Sequence, residues 1–294
     1  MAQITDSEFK ALISLLDDPD EEVVQHVSNR LKDLGIKGVK KLEHAWEFAN
    51  DELTQSRLED LIQNIQFERL KEELINWKNN DSGDLLLGAI LVAKYKYPDL
   101  DESLIYRTID RLAQAIWLEL NNGLTPLEEI HVFNNVFYKL SGFIGEQDNF
   151  IKDDLSYINK VLELKKGNSQ ALGILYLVLC RELNLPVYGI DLPYYFILAY
   201  VKTGNIEPPL HDIQKSDISF YINPVNEGTI FQSKQIGEYL KQMNVRPKHK
   251  HYLPCDNVSI LTALIYQLLM CYEQRGDTAN AKHIKELYDL FVEE

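Results

Sequence analysis

The sequence predicts an α+β fold in which helices dominate. Over roughly the first half of the chain, apolar residues recur at spacings of three and four, the spacing of one helix face. The later segment 169–183 is apolar on nearly every side, which is typical of a buried central helix. After it come short segments rich in aromatic and branched residues, and these predict a small antiparallel sheet packed on that helix.

The first 80 residues have the pattern of short helices with one apolar side each. Asp18-Pro19-Asp20-Glu21 predicts a helix start capped by Asp18, and Gly35 and Gly38 predict its end. Short helices of this kind must stack on each other to bury their apolar sides. The segment therefore resembles a HEAT-like helical pair.

The helical pattern continues from Asp84 to Leu140, and Thr125-Pro126-Leu127-Glu128 predicts a capping box. Strands are predicted at 187–191, 195–201 and 219–222, separated by turn residues. These turn residues are Pro193, Gly204, Pro208 and Pro209.

A short helix at 235–240 and a helical hairpin at 259–290 complete the chain. Gly276 is expected to end the first helix of the hairpin. The turn sequence from Tyr272 to Asp277 resembles that of a tetratricopeptide repeat. One such hairpin is too short for a solenoid, so it is expected to cap or extend the domain before it. We accordingly divide the chain into a HEAT-like region (1–80), a core (81–235) and the hairpin (236–294).

Charge argues against nucleic acid as a partner. The chain carries a formal net charge of -15, spread over its length, and such a chain repels phosphate backbones. Its one short basic cluster, Arg246, Lys248, His249, Lys250 and His251, is flanked by prolines and is predicted to be a solvated loop.

The sequence also favours a cytoplasmic protein. Its N-terminus lacks the basic start and apolar run of a signal peptide, and no apolar span reaches the length of a membrane helix. Cys180, Cys255 and Cys271 are odd in number and lack metal-ligand spacing, which fits a reducing compartment. The histidines form no ligand cluster either, so neither a metal nor another cofactor is expected.

From residue 130 to the end, the chain resembles a known family. The motifs that carry the likeness are Asn149-Phe150, 156–163, Gly167-Asn168, Leu175-Tyr176-Leu177, Leu185-Pro186, Pro193-Tyr194-Tyr195-Phe196 and Asn223-Pro224. Together they resemble the SirB-type branch of the transglutaminase-like superfamily. The resemblance implies a papain-like core with a cysteine at the start of the central helix, a histidine on the next strand and an aspartate on the following strand.

At those three positions, the resemblance places Ser169, Tyr195 and Asn223. None of them can perform the corresponding catalytic role. A serine needs a base, a tyrosine titrates near about 10, and a neutral Asn stabilises no imidazolium. The triad is therefore predicted to be degenerate, with Ser169 as the cap of the central helix.

The groove between the central helix and the sheet is the remaining candidate for function. We expect its walls to carry Tyr188, Tyr194, Tyr195, Tyr221 and Asn223, because aromatic side chains with polar tips suit partner recognition. Core packing explains the same tyrosines equally well.

Two functional hypotheses follow. The first is a non-catalytic transglutaminase-like adaptor or scaffold that binds a protein or peptide and engages neither nucleic acid nor membrane. The resemblance implies adaptor work, because related eukaryotic domains are joined to an F-box. The second is a cysteine-protease-like or acyl-transfer enzyme that uses another constellation in the same cleft. The sequence leaves open the partner, the oligomeric state and whether the ligand is a peptide or a small molecule.

Overall fold

The computed structural model describes residues 4–49, 51–146, 152–202 and 210–292. The chain divides into two compact units, Met1–Asn76 and Trp77–Glu294. Several sequence motifs lie outside the described residues, namely Asn149, Phe150, Gly204, Pro208 and Pro209. Within the described part of the chain, no helix combines the length and the apolarity needed to cross a membrane.

The first unit consists of helices packed around aliphatic side chains. Leu16, Leu31, Leu42 and Leu58 are fully buried at its centre, as the one-sided stripes predict. The helices are α1 (Asp6–Ser14), α2 (Glu21–Lys32), α3 (Ile36–Glu47) and α4 (Glu52–Asn76).

The start of α2 differs from the prediction by two residues. Asp20, not Asp18, is the cap, because its Oδ1 accepts a hydrogen bond from the Glu22 amide at 2.9 Å. Asp18 instead accepts from the Asp20 amide at 2.8 Å and shapes the preceding turn. Gly35, with a φ of 57°, does separate α2 from α3, whereas Gly38 lies inside α3.

The second unit contains the remaining helices. The capping box at the start of α7 is confirmed, since Thr125 and Glu128 exchange backbone and side-chain hydrogen bonds. The helices are α5 (Leu85–Lys94), α6 (Glu102–Glu119), α7 (Pro126–Asn134), α8 (Ile158–Leu164), α9 (Ser169–Glu182), α10 (Ser233–Gln242), α11 (Asn257–Gln274) and α12 (Thr278–Val292). Short π-helical segments span Trp77–Asp81 and Asn135–Leu140, and 3-10 turns span Asp153–Leu155, Leu210–Asp212, Lys215–Asp217 and His249–Tyr252.

Helix α9 is the predicted central helix, and its residues from Ser169 to Cys180 are all buried. Its cap is Asn168, whose Oδ1 accepts from the Ala171 amide at 2.9 Å. The prediction that Ser169 caps the helix is therefore wrong by one residue: Ser169 is the first helical residue. The asparagine side chain occupies the capping role, so the cap does not use the serine hydroxyl.

The predicted antiparallel sheet is confirmed, and it gains an edge strand. Its strands β3 (Val187–Leu192), β4 (Tyr195–Val201), β5 (Ile218–Asn223) and β6 (Thr229–Phe231) pair in the order β3-β4-β5-β6. A separate parallel pair joins β1 (Ile144–Gly145) to β2 (Lys166–Gly167). Neither β6 nor this pair was predicted, because segments of two or three residues carry too little alternation to be recognised.

The sheet lies between α9 on one face and α10 on the other. On the α9 side, Gly173 approaches the ring of Phe196 so closely that a Cβ would collide with it. On the α10 side, Ile197 and Tyr221 pack against Ile236 and Leu240. Both sheet faces are thus covered, which explains the nearly continuous burial of β4.

Helices α11 and α12 form the predicted hairpin, with Gly276 at a φ of 71° in the turn. The hairpin belongs to the same compact unit as the sheet and α9. The threefold division at residues 80 and 235 stays a prediction.

Candidate functional site

A small cleft opens at the N-terminal end of α9. Its empty volume is about 430 Å³, part of which is open to solvent. The described residues that line it come from α9, the start of β4, the loops beside β1 and β5, the segment before α8, and α11. They are Glu146, Lys152, Ser156, Asn168, Ser169, Tyr194, Tyr195, Val225, Gln267 and Cys271.

Ser169, at the position of the nucleophile in the resemblance, lies in this cleft and is 9% exposed. Its hydroxyl makes no hydrogen bond to any residue in the described part of the chain. The Asn168 side chain satisfies the Ala171 amide of the first helical turn, so the cap does not involve the Ser169 hydroxyl. Within the described residues, the Ser169 hydroxyl therefore has no hydrogen-bonded base that would activate it as a nucleophile.

Tyr195 and Asn223 meet at the same end of the sheet. The Tyr195 hydroxyl donates to Asn223 Oδ1 at 3.1 Å, and the same oxygen accepts from the Val225 amide at 3.2 Å. Burial raises the pKa of Tyr195, and the hydrogen bond to Asn223 offsets only part of that rise. Tyr195 is thus a neutral donor and no base. Since Ser169 and Tyr195 line one cleft and Tyr195 contacts Asn223, the three positions come together.

Replacing Tyr195 by Phe should lower the free energy of unfolding by about 0.5–1.5 kcal/mol, the usual net value of one hydrogen bond. The effect should stay small because Asn223 Oδ1 keeps its bond to the Val225 amide. Urea unfolding measures the change. Tyr194→Phe is the matched control, since the Tyr194 side chain is 68% exposed. Equal effects in both variants would contradict a contribution from the bond to Asn223.

The tyrosines predicted to line the groove separate into two groups. Tyr194 and Tyr195 do line it, and Tyr194 projects from a turn with a φ of 62°. Tyr221 is only 2% exposed, lies beneath α10 and donates its hydroxyl to the Tyr252 carbonyl at 3.1 Å. Tyr188 shares the α10 face of the sheet through its alternation with Ile190. The assignment of Tyr188 and Tyr221 to the cleft walls is therefore wrong. Tyr195 shares this α10 face and packs near Tyr239, but it lies at the start of β4, where the cleft opens. Tyr188 and Tyr221 both lie beside Ala199, four residues farther along β4.

Helix α11 supplies a wall that the sequence analysis missed. Gln267 and Cys271 are four residues apart, so both lie on one helix face. The Gln267 Oε1 atom is buried and has no hydrogen-bond partner in the described structure. Their spacing could have marked a shared face, but nothing local indicates that this face meets the start of α9 about 100 residues earlier in the chain.

The thiol of Cys271 is poorly suited to nucleophilic chemistry. It is 3% exposed, and burial raises its pKa to about 11, with the Asp153 carboxylate adding to the rise and Arg275 opposing it. Cys180 is fully buried within α9, and burial raises its pKa well above the usual value. Both thiols are thus protonated at neutral pH.

A network of hydrogen bonds and ion pairs around the buried Asp153 lies next to Cys271. Asp153, only 5% exposed, accepts hydrogen bonds from Lys96 Nζ at 2.9 Å, from Arg275 at 2.8 Å and from the Tyr272 hydroxyl at 2.8 Å. The hydroxyls of Tyr272 and Tyr157 lie 2.9 Å apart. This network ties the segment before α8 to the end of α11 and so holds two cleft walls together.

None of the described residues that line the cleft is a histidine that could act as a general base, and the Glu146 carboxylate there is paired with Lys166 at 3.4 Å. Across the described residues, no group of three or more His, Cys, Asp or Glu side chains could hold a metal ion. Among the described lining residues, Ser169, Gln267 and Tyr194 offer polar groups to a ligand, and no side chain accepts a hydrogen bond from the Ser169 hydroxyl.

Comparisons with known proteins identify the family context. Residues 104–265, more than half of the chain, match the family described as "Transglutaminase-like superfamily". The chain is 30% identical to the UPF0162 protein of Xylella fastidiosa strain Temecula1 over 39% of this chain and 41% of that protein. It is 27% identical to the UPF0162 protein of Vibrio cholerae over 62% and 63%, and 25% identical to Protein SirB1 of Salmonella typhimurium over 38% and 41%.

These alignments span less than two thirds of the length of the relatives. No solved structure matches the chain.

Proposed function

This chain belongs to the SirB-type branch of the transglutaminase-like superfamily, and we propose that it is a non-catalytic member that binds a protein or peptide in the cleft at the start of α9. The observation that carries the proposal is the identity of the three side chains there. Ser169, Tyr195 and Asn223 stand where the family chemistry calls for Cys, His and Asp. The surrounding helix and strands keep the frame, while the reacting groups are absent from these positions.

The polar atoms of the cleft support a peptide as the ligand. A peptide backbone offers an N–H donor that can satisfy the buried Gln267 Oε1 and a carbonyl that can accept from the Ser169 hydroxyl. Tyr194, 68% exposed at the rim, supplies an aromatic surface for a side chain of the ligand. The protein would act as an adaptor in the cytoplasm, for which its free cysteines are a suitable feature.

Activity and binding are tested separately. For activity, the whole chain and its Ser169→Ala variant are incubated with a mixed library of quenched fluorescent peptides and with amine acceptors. We expect no turnover above the variant in either assay. Turnover that is lost in Ser169→Ala would overturn the proposal.

For binding, peptides selected from a displayed random library on the intact protein are measured by anisotropy. Gln267→Leu removes the unpartnered Oε1 acceptor and keeps a side chain of similar volume. This variant should bind the selected peptides about tenfold more weakly. Tyr106→Phe, on α6 and outside the cleft lining, is the control and should bind as the parent does. Selected peptides that bind both variants equally would show that the cleft is not their site.

A cysteine-protease-like form of the enzyme hypothesis needs an activated thiol in the cleft, and Cys271 is the cysteine among the described lining residues. Because burial raises its pKa to about 11, we expect iodoacetamide to label the native protein more slowly than the urea-unfolded chain at pH 7.5. Mass spectrometry of the labelled peptides assigns the rate to each cysteine. Faster labelling of Cys271 in the native protein than in the unfolded chain would favour the enzyme hypothesis instead.

A further inference from the structure

One loop is basic, although the chain as a whole is acidic. Residues 239–255 contain four Lys and Arg side chains and no Asp or Glu, although the chain as a whole carries a net charge of -15. We define the basic loop as Arg246, Lys248, His249 and Lys250. These side chains are exposed, and they lie beside α10 and β3, outside the cleft lining described above.

The backbone of this loop is held in place by buried anchors. His251 is 4% exposed, and its Nδ1 accepts from the Lys248 amide at 3.2 Å within the 3-10 turn His249–Tyr252. The Tyr252 carbonyl accepts from the Tyr221 hydroxyl of β5 at 3.1 Å. Because one turn of the loop is anchored to the sheet, its cations are presented from a defined backbone, and binding requires little further ordering of that backbone.

The cations of the basic loop lack ion-pair partners within the described structure. No described carboxylate lies within salt-bridge distance of Arg246, Lys248 or Lys250. Lys215 Nζ, 4.0 Å from the centre of the Tyr252 ring, adds another positive charge beside the turn. Desolvation raises the pKa of the Asp191 carboxyl on β3 to about 6, and the charge of Lys250 opposes that rise, so Asp191 offsets part of the charge of Lys250. The loop itself keeps a net positive charge, since it contains no Asp or Glu.

We propose that the basic loop is a docking surface for an acidic segment, rich in Asp and Glu, of a partner protein. Ammonium and guanidinium groups pair with carboxylates, and the fixed spacing of the loop selects a short run of them. A long polyanion is disfavoured, because beyond a Debye length of about 8–10 Å it meets the negative remainder of the surface. Affinity for nucleic acid grows with the number of phosphates that Lys and Arg neutralise, and this loop supplies only Arg246, Lys248 and Lys250 for such contacts. The proposal is independent of the cleft.

The test uses the full chain and a fluorescein-labelled oligoglutamate peptide, with binding followed by anisotropy at low and at physiological salt. The variant Arg246→Gln/Lys248→Gln/Lys250→Gln should bind about tenfold more weakly, the combined effect of three exposed charge pairs. The control, Lys32→Gln/Lys37→Gln/Lys40→Gln, makes the same change of net charge at exposed lysines of the first unit and should stay within about twofold of the parent.

Single variants Lys248→Gln and Lys250→Gln, with thermal unfolding as a folding check, should each give part of the loss. The proposal is overturned if both triple variants lose affinity equally, if the loop variant binds as the parent does, or if the parent shows no salt-dependent binding. It is also overturned if a short DNA duplex or phosphatidylserine vesicles bind the loop more tightly than the peptide at equal charge concentration. Those results would assign the surface to nucleic acid or to a membrane.

Discussion

Replacing Asp153 by Ala is expected to lower the free energy of unfolding by about 2–4 kcal/mol. The substitution leaves Lys96, Arg275 and Tyr272 without their shared acceptor. Breaking a buried ion pair costs about 3–5 kcal/mol. We expect somewhat less here, because the Lys96 and Arg275 side chains are 36% and 39% exposed and can regain water. Urea unfolding of the intact chain measures the change.

The matched control is Asp154→Ala, the neighbouring carboxylate that also pairs with Lys96. The Asp154 side chain is 44% exposed, so its loss should cost about 1 kcal/mol or less. If both variants lower the free energy of unfolding equally, the burial of Asp153 is not the reason for the loss of stability.

The effect of Asp154 should depend on pH. Desolvation raises its pKa, but the bonds from Tyr97 and Lys96 outweigh it and lower the pKa below 3.8 in the folded protein. The unfolded chain therefore binds the proton more readily, and Asp154 stabilises the fold above its unfolded pKa. As pH falls through the folded pKa, this contribution is lost. The stability difference between the protein and Asp154→Asn should therefore be present at pH 6 and shrink below pH 4; a constant difference would contradict it.

Gly173→Ala is the second substitution with a large expected effect. In an ordinary helix, Ala is about 1 kcal/mol more favourable than Gly. Here we expect the opposite sign, a destabilisation of about 1–3 kcal/mol, because the new Cβ collides with the fully buried ring of Phe196 on β4. Thermal or urea unfolding reports the sign directly.

Gly83→Ala is the control for the Gly173 substitution, since a Cβ there meets no atom within 4 Å. It should change stability far less than Gly173→Ala does. A stabilised Gly173→Ala variant would show that there is room for a Cβ between α9 and β4. That result would contradict the close helix–sheet contact, which also places Ser169 near Tyr195.

Local chemistry in the sequence determined the main elements. The all-round apolarity of 169–183 predicted the buried helix α9, and aromatic and branched residues with flanking turn residues predicted the three longer strands of the sheet. Motif resemblance located Ser169, Tyr195 and Asn223, and the structure brings them to one cleft end. These features could be predicted because the spacing of apolar groups and the family motifs are both written in consecutive residues.

Tertiary structure alone decided which elements cover those residues. Tyr188 and Tyr221 face α10 and do not line the cleft. The sequence could not show this, because alternation indicates which residues share a strand face but not which helix packs on that face. Asn168 rather than Ser169 became the helix cap, a choice settled by backbone angles at one residue. Gln267 and Cys271 reach the cleft from about 100 residues away, since the packing of α11 on the core is a long-range event that no local pattern encodes.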